Sequence, residues 1–137
     1  MTRRLTQQDA AEMIFDAWAG AMDTGMSRKE TLELTGLTSG QFLNGKAWLR
    51  DELCSNKEMP FSYDPSKDLY HLNANFEPVE EYWLFRLKVT AKQLQRLLDG
   101  TASPAKAKFG GRKIARMHRH TKDLILDLED IVAGVGA

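Results

Sequence analysis

Three histidines, one cysteine and a run of cations are the residues here whose types could do chemistry. His118 and His120 are two apart, so on a helix they point to different sides, and His71 stands alone in a strand-like segment. Cys54 has no second cysteine with which to form an internal disulfide or a multi-cysteine zinc site; beside Leu53 at a helix end it reads as half-buried and inert. No Cys/His ligand spacing, Gly-rich phosphate loop or nucleophile elbow occurs. The chain therefore reads as no enzyme and as needing no cofactor or metal. The chemistry that remains is binding. Lys106, Lys108, Arg112, Lys113, Arg116, Arg119 and Lys122 follow one another with no acid among them. On a helix Arg112, Arg116 and Arg119 share a face that can neutralise several phosphates. The plain alternative is a solvated face paired with acids of a neighbouring helix.

The elements that carry these residues follow from capping and periodicity. Thr6, with Asp9 three residues on, caps a first helix whose apolar face is Ala10, Met13, Ile14, Ala17, Trp18, Ala21 and Met22, closed by Asp23-Thr24-Gly25. Ser27 and Glu30 have capping-box spacing and open a short second helix with Thr31, Leu32 and Leu34 before Gly36, a left-handed C-cap. Thr38 and Gln41 repeat that spacing and open a third, with Phe42, Gly45, Leu49 and Leu53 inward and Leu37 beneath the corner. A stop at Gly36 and a start at Thr38 leave almost no connector, which defines a helix-turn-helix. After Met59-Pro60, Phe61, Tyr63 and Leu69-Tyr70-His71-Leu72 flank a polar turn of about five residues as a β-hairpin.

From Glu77 the pattern is helical again, with a narrow seam of Leu84, Leu87, Ala91, Leu94 and Leu98. Asp99-Gly100-Thr101 and Ser103-Pro104 are expected to end this helix, and residues 105–111 to form a loop or frayed start. Ile114, Met117, Thr121, Leu124, Leu128 and Ile131 give the final helix its seam, so the two can close as a helical hairpin. Trp18, Trp48 and Trp83 read as core. The N-terminus MTRRLTQQDAAE has no apolar signal-peptide stretch, and no apolar run approaches the roughly 20 residues of a membrane span. The expectation is a cytoplasmic protein with no membrane partner. Net charge is zero, 19 Lys and Arg against 19 Asp and Glu, so local basic surface must decide about polyanionic partners.

Three helices with a tight turn between the second and third, followed by a hairpin, resemble the winged helix-turn-helix DNA-binding domain. The resemblance covers about residues 5–73; SRKETLELTGLTSGQFLNGKAWL is its most specific part and PFSYDPSKDLYHL its wing. With two long helices appended, the whole looks like small bacterial or phage-borne transcriptional regulators. The fold implied is mainly α: a winged helix-turn-helix over residues 1–75, then a helical extension over 76–137 that serves as a dimerisation element.

The resemblance also implies a site. The third helix would enter the major groove with Ser39, Gly40, Leu43, Asn44, Ala47 and Asp51 outward. Asn44 could bond bidentately to adenine; Thr38, Ser39 and the helix amides suit phosphate oxygens. Thr38 and Gln41 are equally accounted for as caps. Lys46 stands where such domains bury an aliphatic residue and is counted among the contacts. Lys67 is the cation of the wing, Arg3 and Arg4 could form an arm, and Arg116 and Arg119 add non-specific affinity. The function implied is sequence-specific binding of double-stranded DNA by a homodimeric transcriptional regulator, with no small-molecule effector evident. Two other readings stay open: a replication or excision accessory DNA-binding protein, and a winged-helix protein-interaction module without DNA binding.

Overall fold

Thr6 starts the first helix as its spacing requires. In the computed structural model, which describes residues 5–72 and 75–134, its hydroxyl accepts the Asp9 amide at 3.0 Å and the Asp9 carboxylate accepts the Thr6 amide at 3.2 Å. The resulting helix α1 (Gln7–Ala19) buries Ala10, Ala11, Ile14 and Trp18. It ends sooner than its apolar spacing suggests: Gly20 is its C-cap, and Ala21 and Met22 belong to the turn beyond. Helix α2 (Arg28–Thr35) begins with half of the expected box, the Ser27 hydroxyl accepting the Glu30 amide at 3.1 Å. Gly36 then adopts φ 74°, a conformation that costs glycine little, and sends the chain round the corner. Thr38 and Gln41 complete a full capping box at the head of α3 (Ser39–Trp48).

Helix α3 does not stop at Trp48. A π-helical turn over Leu49–Leu53, closed by the Cys54 amide on the Leu49 carbonyl, leads into the short α4 (Cys54–Asn56). Phe42, Gly45, Leu49 and Leu53 all face inward and are buried, as is Leu37 under the corner. Strands β1 (Phe61–Asp64) and β2 (Leu69–Leu72) then pair antiparallel, with Phe61 opposite Leu72 and Asp64 opposite Leu69. Asp64 makes the turn between them by accepting the Ser66 amide at 3.0 Å and the Ser66 hydroxyl at 2.6 Å. The hairpin is tied to the segment between α1 and α2 by a bridge that joins Met26 to Tyr70 through both amides, a pairing with no sequence signal.

These elements meet in an aromatic core. Trp18 stacks on Tyr70 with centroids 4.9 Å apart and planes 6° apart, while Phe42 stands edge-on to both rings. Such pairs add about 0.5–1.5 kcal/mol each beyond the area they bury. The Trp18 indole N–H, shut away from water, donates to the Thr31 hydroxyl at 2.9 Å.

The chain forms two compact units, Met1–Tyr82 and Trp83–Ala137. The first runs past residue 75 because the opening turns of α5 (Phe76–Leu97) belong to it, Tyr82 standing edge-on to Phe61 at 5.7 Å. In the second unit, the helix does not end at Asp99-Gly100-Thr101. A π-helical turn over Leu98–Ala102 carries it into α6 (Ser103–Phe109), with the Ser103 amide on the Leu98 carbonyl. Pro104 stands just beyond this π-turn, in the first turn of α6. The loop expected over 105–111 shrinks to Gly110-Gly111, both at positive φ, before α7 (Arg112–Val132).

The seam of α7 is also corrected. Ile125 is its buried residue, while Met117, Leu124 and Ile131 of the expected seam are exposed. Trp83, expected in the core, is 58% exposed; Trp48 is half-buried. Among the described residues, no helix is long and apolar enough to cross a membrane.

Candidate nucleic-acid interface

The α2–α3 corner presents one continuous polar edge. With Phe42, Gly45 and Leu49 fixed inward, Ser39, Gly40, Leu43, Asn44 and Asp51 are exposed and Ala47 is half-buried. Thr38 and Gln41 spend one oxygen each on the capping box. That leaves the Thr38 hydroxyl hydrogen and the Gln41 amide nitrogen to donate to an outside oxygen. The Asn44 side chain makes no hydrogen bond within the described residues, so its full donor–acceptor pair faces outward.

Lys46 is only partly exposed. Its ammonium lies 5.3 Å from the Tyr70 ring centre and 5.6 Å from that of Phe42. The long stem takes the place of an aliphatic residue while the charge rests on two ring faces. Burial chiefly, then the positive charges of Arg50 and Arg28, hold the Lys46 pKa below the usual lysine value. Arg28, from the first turn of α2, also lies 5.6 Å from the centre of the Phe42 ring. Lys46 and Arg28 thus meet at the Phe42 ring, with the Arg50 charge close enough to act on Lys46; among the described residues only Arg50 of the three is ion-paired, to Asp51 at 3.0 Å. Like charges held this close repel one another, and an anion set against them would relieve that repulsion.

The hairpin tip is less suited to one. Lys67 is exposed, but Asp64 and Asp68 flank it. Asp64 is held below the usual carboxylate range, first by the Ser66 hydroxyl and least by Lys67, and Asp68 accepts the Tyr63 hydroxyl at 2.7 Å. The tip is therefore acidic overall.

The chain matches no protein-family model, no curated protein and no solved structure.

Of the residues expected to contact DNA, Thr38, Ser39, Gln41, Asn44 and Lys46 share the corner, and Lys67 stands at the hairpin tip of the same compact unit. Arg116 and Arg119 belong to α7 in the second unit; both are exposed, and Arg116 approaches His120 at 3.5 Å. Arg3 and Arg4 lie outside the described residues. Two residues were missed, Arg28 and Arg50. Arg50 was legible, since it follows Lys46 by four and like charges at that spacing share a helix face. Arg28 carried no such signal, because it joins the cluster only through the α2–α3 corner. A further pair, the Ser103 hydroxyl and His118 Nε2 at 3.1 Å, ties α6 to α7.

Proposed function

We propose that this chain is a sequence-specific double-stranded DNA-binding protein of winged helix-turn-helix type, acting as a dimeric transcriptional regulator. The observation that carries the reading is the α2–α3 corner. Gly36 and Thr38 turn the chain within two residues, and the first turns of α3 offer Thr38, Ser39 and Asn44 outward beside the Arg28–Lys46–Arg50 cluster. In the mechanism that follows, α3 enters the major groove by its N-terminal end. Asn44 reads adenine, Thr38 and Ser39 donate to phosphate oxygens, and the cations neutralise flanking phosphates. Occupancy of the operator is the whole action.

A second reading, protein contact through the same corner, draws support from Leu34 and Leu43, which are 65% and 47% exposed on its outer face. One experiment separates the two. Mobility shifts with a duplex selected from a random library and with a scrambled duplex should show binding that weakens steeply with salt. Asn44→Ala should lose about 1–3 kcal/mol on the selected duplex and almost nothing on the scrambled one. No affinity for any duplex at low salt would overturn the DNA-binding reading and leave the protein-contact one.

A further inference from the structure

Helix α7 is built against the electrostatics of a lone helix. Arg112, Lys113, Arg116, Arg119 and Lys122 occupy its first half and Asp123, Asp127, Glu129 and Asp130 its second. Helix dipoles favour the opposite order, acids first and bases last, yet no acid stands in the first turn and no base in the last. Nor does Gly111 supply a side-chain cap. Among the described residues none of these charges is ion-paired, so no ion pair among them offsets the arrangement.

An apolar stripe runs along the same helix, with Lys113, Arg116 and Asp127 on its flank and Arg119, Lys122 and Glu129 nearer the opposite side. Met117, Leu124 and Ile131 are 59%, 53% and 51% exposed, and each follows the last by seven residues. Seven residues are close to two turns, so the three stand in one line, about 20 Å long at 1.5 Å per residue. Half-buried Leu128 fills the step between Leu124 and Ile131. The unit from Trp83 onward buries only Ala91, Leu98 and Ile125 among its described residues, so this line is surface that the unit itself does not cover.

We propose that α7 pairs antiparallel with α7 of a second copy of this chain. In that pairing Leu124 meets its own counterpart and Met117 faces Ile131. The basic first half of each helix then lies along the acidic second half of the other. Self-complementarity is the reason to choose a second copy: a two-fold contact needs a surface that matches itself, and this helix carries both halves of the match. Parallel pairing would set like charges side by side. A nucleic acid would suit Arg116 and Arg119 but be repelled by Asp127 and Asp130, so here those arginines serve the partner helix. This deepens the dimeric part of the proposed function, and its test uses no DNA, so the two can fail separately.

Sedimentation velocity on the full chain should give twice the 15.5 kDa chain mass at micromolar concentration. Arg116→Glu with Arg119→Glu, and separately Asp127→Lys with Asp130→Lys, should each run as monomers, because each removes most of the attraction. The first sets two acids against the three cations left in the basic half, and the second sets two cations against the two acids left in the acidic half. Mixing the two variants should restore the doubled mass, which also shows that each still folds. Direction is read by cross-linking in a Cys54→Ala background. A mixture of copies bearing Met117→Cys with copies bearing Ile131→Cys should give mixed disulfides, and each variant alone almost none. A monomeric parent, variants that stay dimeric alone, or same-site cross-links outnumbering mixed ones would overturn the proposal.

Discussion

Replacing Gly45 by alanine tests the packing that presents α3. Gly45 lies in mid-helix and is buried where α1 crosses. On propensity alone the change should stabilise by about 1 kcal/mol. A Cβ at this position, however, would stand 2.8 Å from the Ala10 Cβ, 3.0 Å from the Ala10 carbonyl carbon and 3.0 Å from Ile14 Cδ1. The Ile14 terminus can rotate away. Ala10 cannot, since its Cβ and backbone move only with α1. Overpacking of this kind costs about 1–3 kcal/mol, so set against that gain we expect a net loss of up to about 2 kcal/mol. Gly40→Ala is the matched control: nothing lies within 4 Å, and the sign should reverse to a gain of up to about 1 kcal/mol. Urea unfolding followed by tryptophan fluorescence, with Trp83→Phe in every sample, restricts the signal to Trp18 and Trp48 of the first unit. A Gly45→Ala midpoint at or above the parent's would refute the close crossing of α1 and α3.

Two further outcomes follow from buried groups. Thr31→Val keeps the shape but strips the acceptor from the Trp18 indole, and should lower stability by about 1–3 kcal/mol in the same assay; an unchanged midpoint would mean the indole has another acceptor. Burial pushes the Cys54 thiol up to about 11 from 9.0, so the folded chain keeps a proton that the unfolded chain releases. Its contribution is therefore complete below about pH 9 and lost as pH rises toward 11, and Cys54→Ala should flatten the fall of the urea midpoint across that window. Tyr63, pushed up to about 12 by its hydrogen bond to Asp68, supplies slope that remains; a Cys54→Ala profile identical to the parent's would remove the thiol from the account.

What could be read from the sequence was what is decided locally. Thr6 with Asp9, Thr38 with Gln41, and Gly36 each fix a helix end within four residues, and all three hold. The outward face of α3 was legible for the same reason, since Phe42, Gly45 and Leu49 leave one orientation. The phase of α7 was not. Heptad stepping through Met117, Leu124 and Ile131 says that a seam exists, but not whether it faces α5 and α6 or the outside. The continuation through Asp99-Gly100-Thr101 was hidden because a π-turn has no composition of its own. Arg28 was hidden because its place beside Phe42 depends on how two helices cross.

Those π-turns also bear on how the chain can change over generations. Each closes its bond across five residues instead of four, so it holds one residue more than the α-turn it replaces. Losing a single codon at Gly100 would leave an unbroken helix, one residue shorter and nearer to ideal. The visible result would be slight: the π-turn already takes up the extra residue within one turn, so everything beyond would keep its present face relative to α5. Ala102 and Ala105, which with Leu97 and Thr101 line a cleft against Ile114, Met117 and His118, would stay on it, and Ser103 would stay beside His118. At Leu49–Leu53 the loss of one residue within the turn would likewise leave buried Cys54 facing the core. A residue deleted at either turn thus leaves both the helix and its faces standing, which makes these two turns the places where this fold can change its length by one residue and keep its contacts.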